Sequence, residues 1–120
     1  MTAYERGSVV LVPFPFTDLS AVKRRPALVI SSDHYNSITG DVIIAQITSK
    51  VDSPPRPGDH RVEDWQKAGL PLPSMVRARM TTLHSSLLLK TLGKMPDEEM
   101  RPIDRRLADA LGLFRLPQRR

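Results

Sequence analysis

The sequence contains no cysteine, which removes disulfides, thiolate nucleophiles and cysteine-held zinc from consideration. That lack fits a reducing, cytoplasmic location without requiring one. No apolar run approaches the roughly 18 to 20 residues that a membrane-spanning helix needs. The opening Met1 to Gly7 has no basic stretch followed by an apolar segment, so it does not read as a secretory signal. Histidines number three, and neither they nor the carboxylates fall into metal-ligand spacing. There is no G-x-x-x-x-G-K-[ST] loop for nucleotide phosphates. No cofactor and no metal are therefore expected. With 120 residues and no internal repeat, there is little material for a second core.

What the chain does have is arginine. Net charge is +5, and thirteen of the eighteen basic residues are Arg. Its planar fork matches phosphate oxygens in pairs and stacks on bases. This composition suits a nucleic-acid ligand, though a solvated basic surface with a basic tail accounts for it equally well. The remainder, 40% apolar and 26% charged, is that of an ordinary globular domain.

Along the chain, Ser8 to Phe16 is apolar and β-rich, but Pro13 and Pro15 cannot donate to a ladder. A strand is predicted over Ser8 to Val12, leaving the sheet as an edge segment. Thr17 to Arg24 reads as a polar loop. Pro26 to Ser31 and Val42 to Ile47 are short continuous apolar runs, the pattern of strands buried on both faces. Asp33 to Asp41 between them is turn-rich, and Val51 to Gly58 is broken by proline. A short strand is expected near His60 to Glu63. Ser74 to Met80 alternates apolar and basic residues, which puts Arg77 and Arg79 together on a solvent face. Leu87 to Leu92 is ambiguous. Met100, Ile103, Leu107, Leu111 and Phe114 form one helical stripe, with Asp97, Glu98 and Glu99 at its favourable end. Pro102 requires that helix either to begin there or to kink. These elements fit a mainly β fold, a small bent barrel with a C-terminal α-helix. A single domain over 1–116 is expected, with 117–120 a frayed basic tail.

Four segments, in order, carry a resemblance. The opening GSVVLVPFPFTDLSAVKRRPALVISS, the strand IIAQITSK, the segment SMVRARMTTL and the helix from Asp97 to Leu113 resemble the toxins of the MazF/PemK (mRNA interferase) family over residues 5 to 114. The resemblance implies an SH3-like barrel of the CcdB/MazF/Kid type and a homodimer. It also implies a groove across both subunits that binds single-stranded RNA, and a cognate antitoxin that covers it. It further implies a type II toxin–antitoxin function: metal-free endoribonuclease cleavage by the substrate's 2′-OH, leaving a 2′,3′-cyclic phosphate and a 5′-OH.

Such cleavage needs a base near the attacking oxygen, positive charge about the phosphorane and an acid near the leaving oxygen. Arg25 matches the arginine of the family's R-P motif. Because it stays protonated, electrostatic stabilisation comes before proton transfer; alternatively it pairs structurally with Asp18 or Asp33. Thr48 matches the active-site threonine and Ser49 its neighbour, and both residue types also cap turns. Arg77 matches the V-V-R arginine that some members use on the scissile phosphate. Arg79 stands where some relatives carry an acid, adding phosphate affinity while removing a proton shuttle. Arg24 and Asp18 complete the expected RNA-contacting set, and Asp18 is the first carboxylate to consider as a substitute base.

His84 reads as a turn cap and His34 as a surface loop residue, while His60 could face the groove. Trp65 could stack a base or sit in the core. Two other readings remain open. One is a gyrase-binding toxin of the same barrel type; the other is a weakly catalytic RNA-binding relative.

Overall fold

The computed structural model describes residues 4–14 and 23–113. Among these, six strands form one antiparallel sheet: β1 (Ser8–Phe14), β2 (Lys23–Val29), β3 (Asp41–Thr48), β4 (His60–Arg61), β5 (Met75–His84) and β6 (Lys90–Lys94). Their order across the sheet is β4-β5-β3-β2-β1-β6. Helix α1 (Asp33–Thr39) joins β2 to β3, and α2 (Asp97–Ala110) follows β6. The sheet curls into a half-barrel, so the expected mainly β fold with a C-terminal helix is borne out. No helix among the described residues is long and apolar enough to cross a membrane.

The curl closes on two glycines. A Cβ on Gly69 would lie 2.2 Å from the carbonyl oxygen of Leu92, and one on Gly93 would lie 2.4 Å from that of Ala68. Only hydrogen fits between these backbones, so the turn after β4 can rest directly on β6 at the far edge of the sheet.

Both faces of the central strands are buried, in two separate clusters. Val9, Leu28, Ala45, Ile47 and Val76 point to one face and pack with Met100, Ile103 and Leu107 of α2. Val10, Val12, Ala27, Val29, Val42, Ile44 and Leu83 of the same strands form the second core on the other face. This explains the unbroken apolar runs in β2 and β3: adjacent residues serve different cores.

The observed elements depart from expectation at several points. β1 runs on to Phe14 and is not an edge, since β6 lies outside it. Pro13 is tolerated because β6 pairs only as far as Leu11, so no ladder partner faces Pro13 on that side. β2 begins at Lys23, which places Arg24 on a strand, not in a loop, with Arg25 beside it on the same strand. The turn-rich stretch contains α1, capped by the Ser32 hydroxyl on the Tyr35 N–H and ended by left-handed Gly40. His34 is thus helical, though exposed as expected. The ambiguous leucines split into a 3₁₀ turn (Ser85–Leu87) and the approach to β6, with His84 as the expected cap. α2 begins at Asp97, so Pro102 is interior, and the Glu98 carbonyl lacks its usual partner. Leu111 is 56% exposed and leaves the stripe, while Phe114 and the 117–120 tail lie outside the described residues.

Helix α2 is tied down by charge as well as packing. Glu99 is buried, with Oε1 2.7 Å from His60 Nε2 and Oε2 accepting from the Asp64 N–H at 2.8 Å. Burial pushes its carboxyl up, but the Asp64 N–H and His60 outweigh that and hold it below the ordinary 4.5. His60 therefore sits beneath α2, not facing a groove. Arg6 pairs with Asp104 and links the N-terminal segment to the same helix. Trp65 packs half-buried against the first core.

Candidate functional site

The second core ends where its face changes character. Residues of one parity on β2, β3 and β5 that begin as Val29, Val42, Ile44 and Leu83 become Arg25, Gln46, Thr48, Arg77 and Arg79 at the other end of the sheet. β2 pairs with β3 at Ala27↔Gln46, and two further residues of that register set Arg25 level with Thr48. β3 pairs with β5 at Thr48↔Met75, which brings the start of β5 to the same end. Between Val76 and Met80 the β5 strand carries extra residues opposite Gln46, a bulge that includes Arg77 and Arg79.

The result is a cleft of about 500 Å³. Arg24, Arg25, Arg77 and Arg79 line it with Lys50, beside the polar Gln46, Thr48, Ser49 and Ser74. Five cations converge there, and no carboxylate lies among the described lining residues. Such a surface attracts a polyanion and repels a hard metal cation. No group of three His, Asp or Glu side chains that could hold a metal occurs among the described residues. Next to the cleft, sharing Arg25, Gln46 and Arg79, lies a smaller pocket of about 240 Å³ floored by Val12, Ala27 and Ile44.

Arg24 and Arg25 are exposed on β2. Asp33, one proposed structural partner of Arg25, instead accepts from the Arg6 N–H at 2.7 Å. The Thr48 hydroxyl oxygen accepts from the Lys50 N–H at 3.1 Å, which is the turn-cap role; its own O–H is left to donate elsewhere. Ser49 is exposed beside it. Arg77 and Arg79 share a face as predicted, but Arg77 is half-buried, with Nε 3.7 Å from the Asp59 carboxylate. Asp18 lies outside the described residues.

The structure thus gathers Arg24, Arg25, Thr48, Ser49, Arg77 and Arg79 into one cleft, and His60 and Trp65 fall elsewhere. Gln46 and Asp59 were not singled out from the sequence. Strand parity with Thr48 would have found Gln46; nothing in the proline-rich run foretells the return of Asp59 to Arg77.

A family described as PemK-like, MazF-like toxin of type II toxin–antitoxin system matches residues 5–111. No curated protein matches the chain. Among solved structures, an endoribonuclease in complex with its cognate antitoxin from a mycobacterial species is similar at 26% identity and TM-score 0.77, with 95% of this chain and 100% of that one covered. A mycobacterial endoribonuclease is similar at 29% identity and TM-score 0.74, with 94% and 95% covered. MazF from Deinococcus radiodurans is similar at 26% identity and TM-score 0.70, with 92% and 97% covered.

Proposed function

Because the chain belongs to the PemK-like, MazF-like family of type II toxin–antitoxin toxins, we propose that it is an endoribonuclease that cuts single-stranded RNA in the cationic cleft. The substrate's 2′-OH attacks the adjacent phosphorus, the 5′-oxygen leaves, and a 2′,3′-cyclic phosphate and a 5′-OH result without a metal. One observation carries this reading: four arginines and a lysine line a single cleft whose described walls hold no carboxylate. A metal-dependent nuclease supplies acids there to hold its cation; this cleft instead supplies the positive charge from its own side chains.

Arg25 neutralises the phosphorane. Thr48 donates its O–H to a phosphate oxygen while Lys50 N–H fixes the hydroxyl's position. Arg77 grips the scissile phosphate from the bulge of β5, and Arg24, Ser49 and Arg79 hold the flanking backbone. Residues 1–116 make up the toxin domain, and Asp18 is the first carboxylate to test as a substitute base. The active species is a two-fold dimer, and the antitoxin binds over the same cleft. A gyrase-binding toxin of this barrel type has no use for a phosphate site, so the cleft favours the nuclease.

Incubating purified protein with a long RNA in EDTA tests the reading. Cleavage should persist, with cyclic-phosphate ends, and a 2′-deoxy nucleotide 5′ of the scissile bond should abolish it. Activity lost in EDTA, or cutting of the deoxy substrate, refutes the mechanism.

A further inference from the structure

Asp59 is a buried acid beside a cluster of cations whose described cleft lining holds no carboxylate. It is 2% exposed and lies at the end of the proline-rich loop. Its Oδ2 accepts from the Arg56 N–H at 2.8 Å, and its own N–H donates to the Arg56 carbonyl at 2.9 Å. The preceding Gly58 has φ +90, and a Cβ there would come within 2.7 Å of the Ala78 Cβ, so the loop end is pressed onto β5 next to Arg77. With its backbone and one oxygen fixed in this way, Asp59 directs Oδ1 toward Arg77 Nε at 3.7 Å. That Nε is buried, and among the described residues it is the one such side-chain atom without a hydrogen-bond partner. At 3.7 Å the contact is an ion pair but not a hydrogen bond. A movement of under ~1 Å would close it to ordinary length.

We infer that Asp59 is the positioning residue for Arg77, gripping the guanidinium at Nε so that its terminal nitrogens are aimed at the phosphate in the cleft. The inference rests on the cleft being the RNA site and deepens that reading. For affinity alone Asp59 is counterproductive, because a negative charge behind Arg77 weakens attraction for a polyanion. Its benefit lies in orientation: a guanidinium held at one edge presents the remaining donors in a fixed plane. An unheld arginine wanders over many rotamers, and misplacement by about 1 Å can cost ~10²-fold in rate.

Asp59→Asn keeps the shape and the acceptor for Arg56 but removes the charge. Single-turnover cleavage and binding of one short RNA are measured for the wild type, Asp59→Asn, Arg77→Ala and the double variant. Asp59→Asn should lower the cleavage rate by 10-fold to ~10²-fold while leaving RNA binding equal or tighter, and should add little to Arg77→Ala. A residue of merely structural importance would weaken both or lower only the melting temperature. Arg77→Lys, which keeps the charge without the fork, should lose rate like Arg77→Ala while still binding; it serves as the test should Asp59→Asn not fold. A second readout needs no cleavage. In the ¹⁵N spectrum of the free protein, the Arg77 Nε–H should be shifted and protected in the wild type and averaged toward free arginine in Asp59→Asn. If the wild type cuts no RNA yet Asp59 orders that N–H, the functional reading fails and the positioning stands. If the wild type cuts RNA but Asp59→Asn or Arg77→Lys does so at the wild-type rate, or if the Nε–H is indifferent to Asp59, the inference is overturned.

Discussion

Removing the charged end of Glu99 should loosen α2 as much as truncating one of its buried apolar residues. Glu99→Ala leaves two groups without their acceptor, the buried His60 ring and the part-buried Asp64 N–H, which stand 2.7 and 2.8 Å from its oxygens. Both His60 and Glu99 are at least nine-tenths buried, so water does not readily replace the lost contacts. Each donor stripped of its charged acceptor costs about 1.5–2.5 kcal/mol, so the two together cost about 3–5 kcal/mol. At this chain length that is roughly 3–5 °C per kcal/mol, or a fall of about 10–20 °C in Tm. Glu99→Gln should cost much less. A glutamine oxygen can accept from Asp64 N–H while its amide donates to a His60 ring protonated at Nδ1, so both contacts survive without the charge. The expected loss is about 1–2 kcal/mol, the difference between charge-assisted and neutral hydrogen bonds. Urea unfolding at fixed protein concentration measures both variants, with an unchanged slope as the check on two-state behaviour. If Glu99→Ala costs under about 1 kcal/mol, or if Glu99→Gln costs as much as Glu99→Ala, the assignment of Glu99 as the anchor of α2 is wrong.

The same carboxylate predicts a pH dependence. Its folded pKa lies below 4.5, so its stabilising contribution is complete above 4.5 and disappears as pH falls through the folded value; an acid titration of stability should be shallower in Glu99→Gln than in the wild type. Gly93→Ala places a methyl 2.4 Å from the Ala68 carbonyl oxygen and should destabilise by about 1–3 kcal/mol, read by thermal unfolding; an unchanged Tm would mean the closure of the sheet is looser than described. Arg25→Ala should lower single-turnover cleavage by ~10²–10³-fold and affect binding less, and cleavage at the wild-type rate under saturation would make it a structural arginine. Arg79→Ala should weaken RNA binding and reduce the salt dependence by about one counterion with turnover little changed, as binding isotherms at two salt concentrations would report.

Periodicity made much of this legible, but only where one physical demand dominated. VIIAQI and PALVIS were readable as strands because burial on both faces leaves their positions mostly apolar, with Gln46 falling at the cleft end. The stripe Met100, Ile103 and Leu107 was readable because one face of α2 meets one core. Helix α1 was not, since His34, Tyr35, Asn36, Ser37, Ile38 and Thr39 are weak helix formers. Tertiary contacts hold it instead: buried Asn36 donates to the Tyr4 carbonyl at 2.8 Å and sits against Ser31. The Ser32 cap and Gly40 were the signals available. At the cleft, Arg25 and Thr48 converge because the β2–β3 register is regular, whereas Arg77 and Arg79 arrive on a bulge of β5. His60 could not be oriented, because a two-residue strand offers no alternation to read. Asp59 was hidden for a different reason: its place depends on the path of a proline-rich loop, which no period encodes.

The two-sided core also has an evolutionary consequence. With both faces of β1, β2 and β3 committed to packing, chemistry can be placed only at the strand ends and the loops beyond them. The loop residues Ser49, Lys50, Pro71 and Leu72 at the cleft, and 52–57 in the proline-rich run between them, are exposed and take no part in either cluster. Selection can therefore rewrite their length and composition with little effect on folding, while the barrel beneath is held almost fixed. Lineages built on this plan should diverge fastest in what they recognise and slowest in how they stand up.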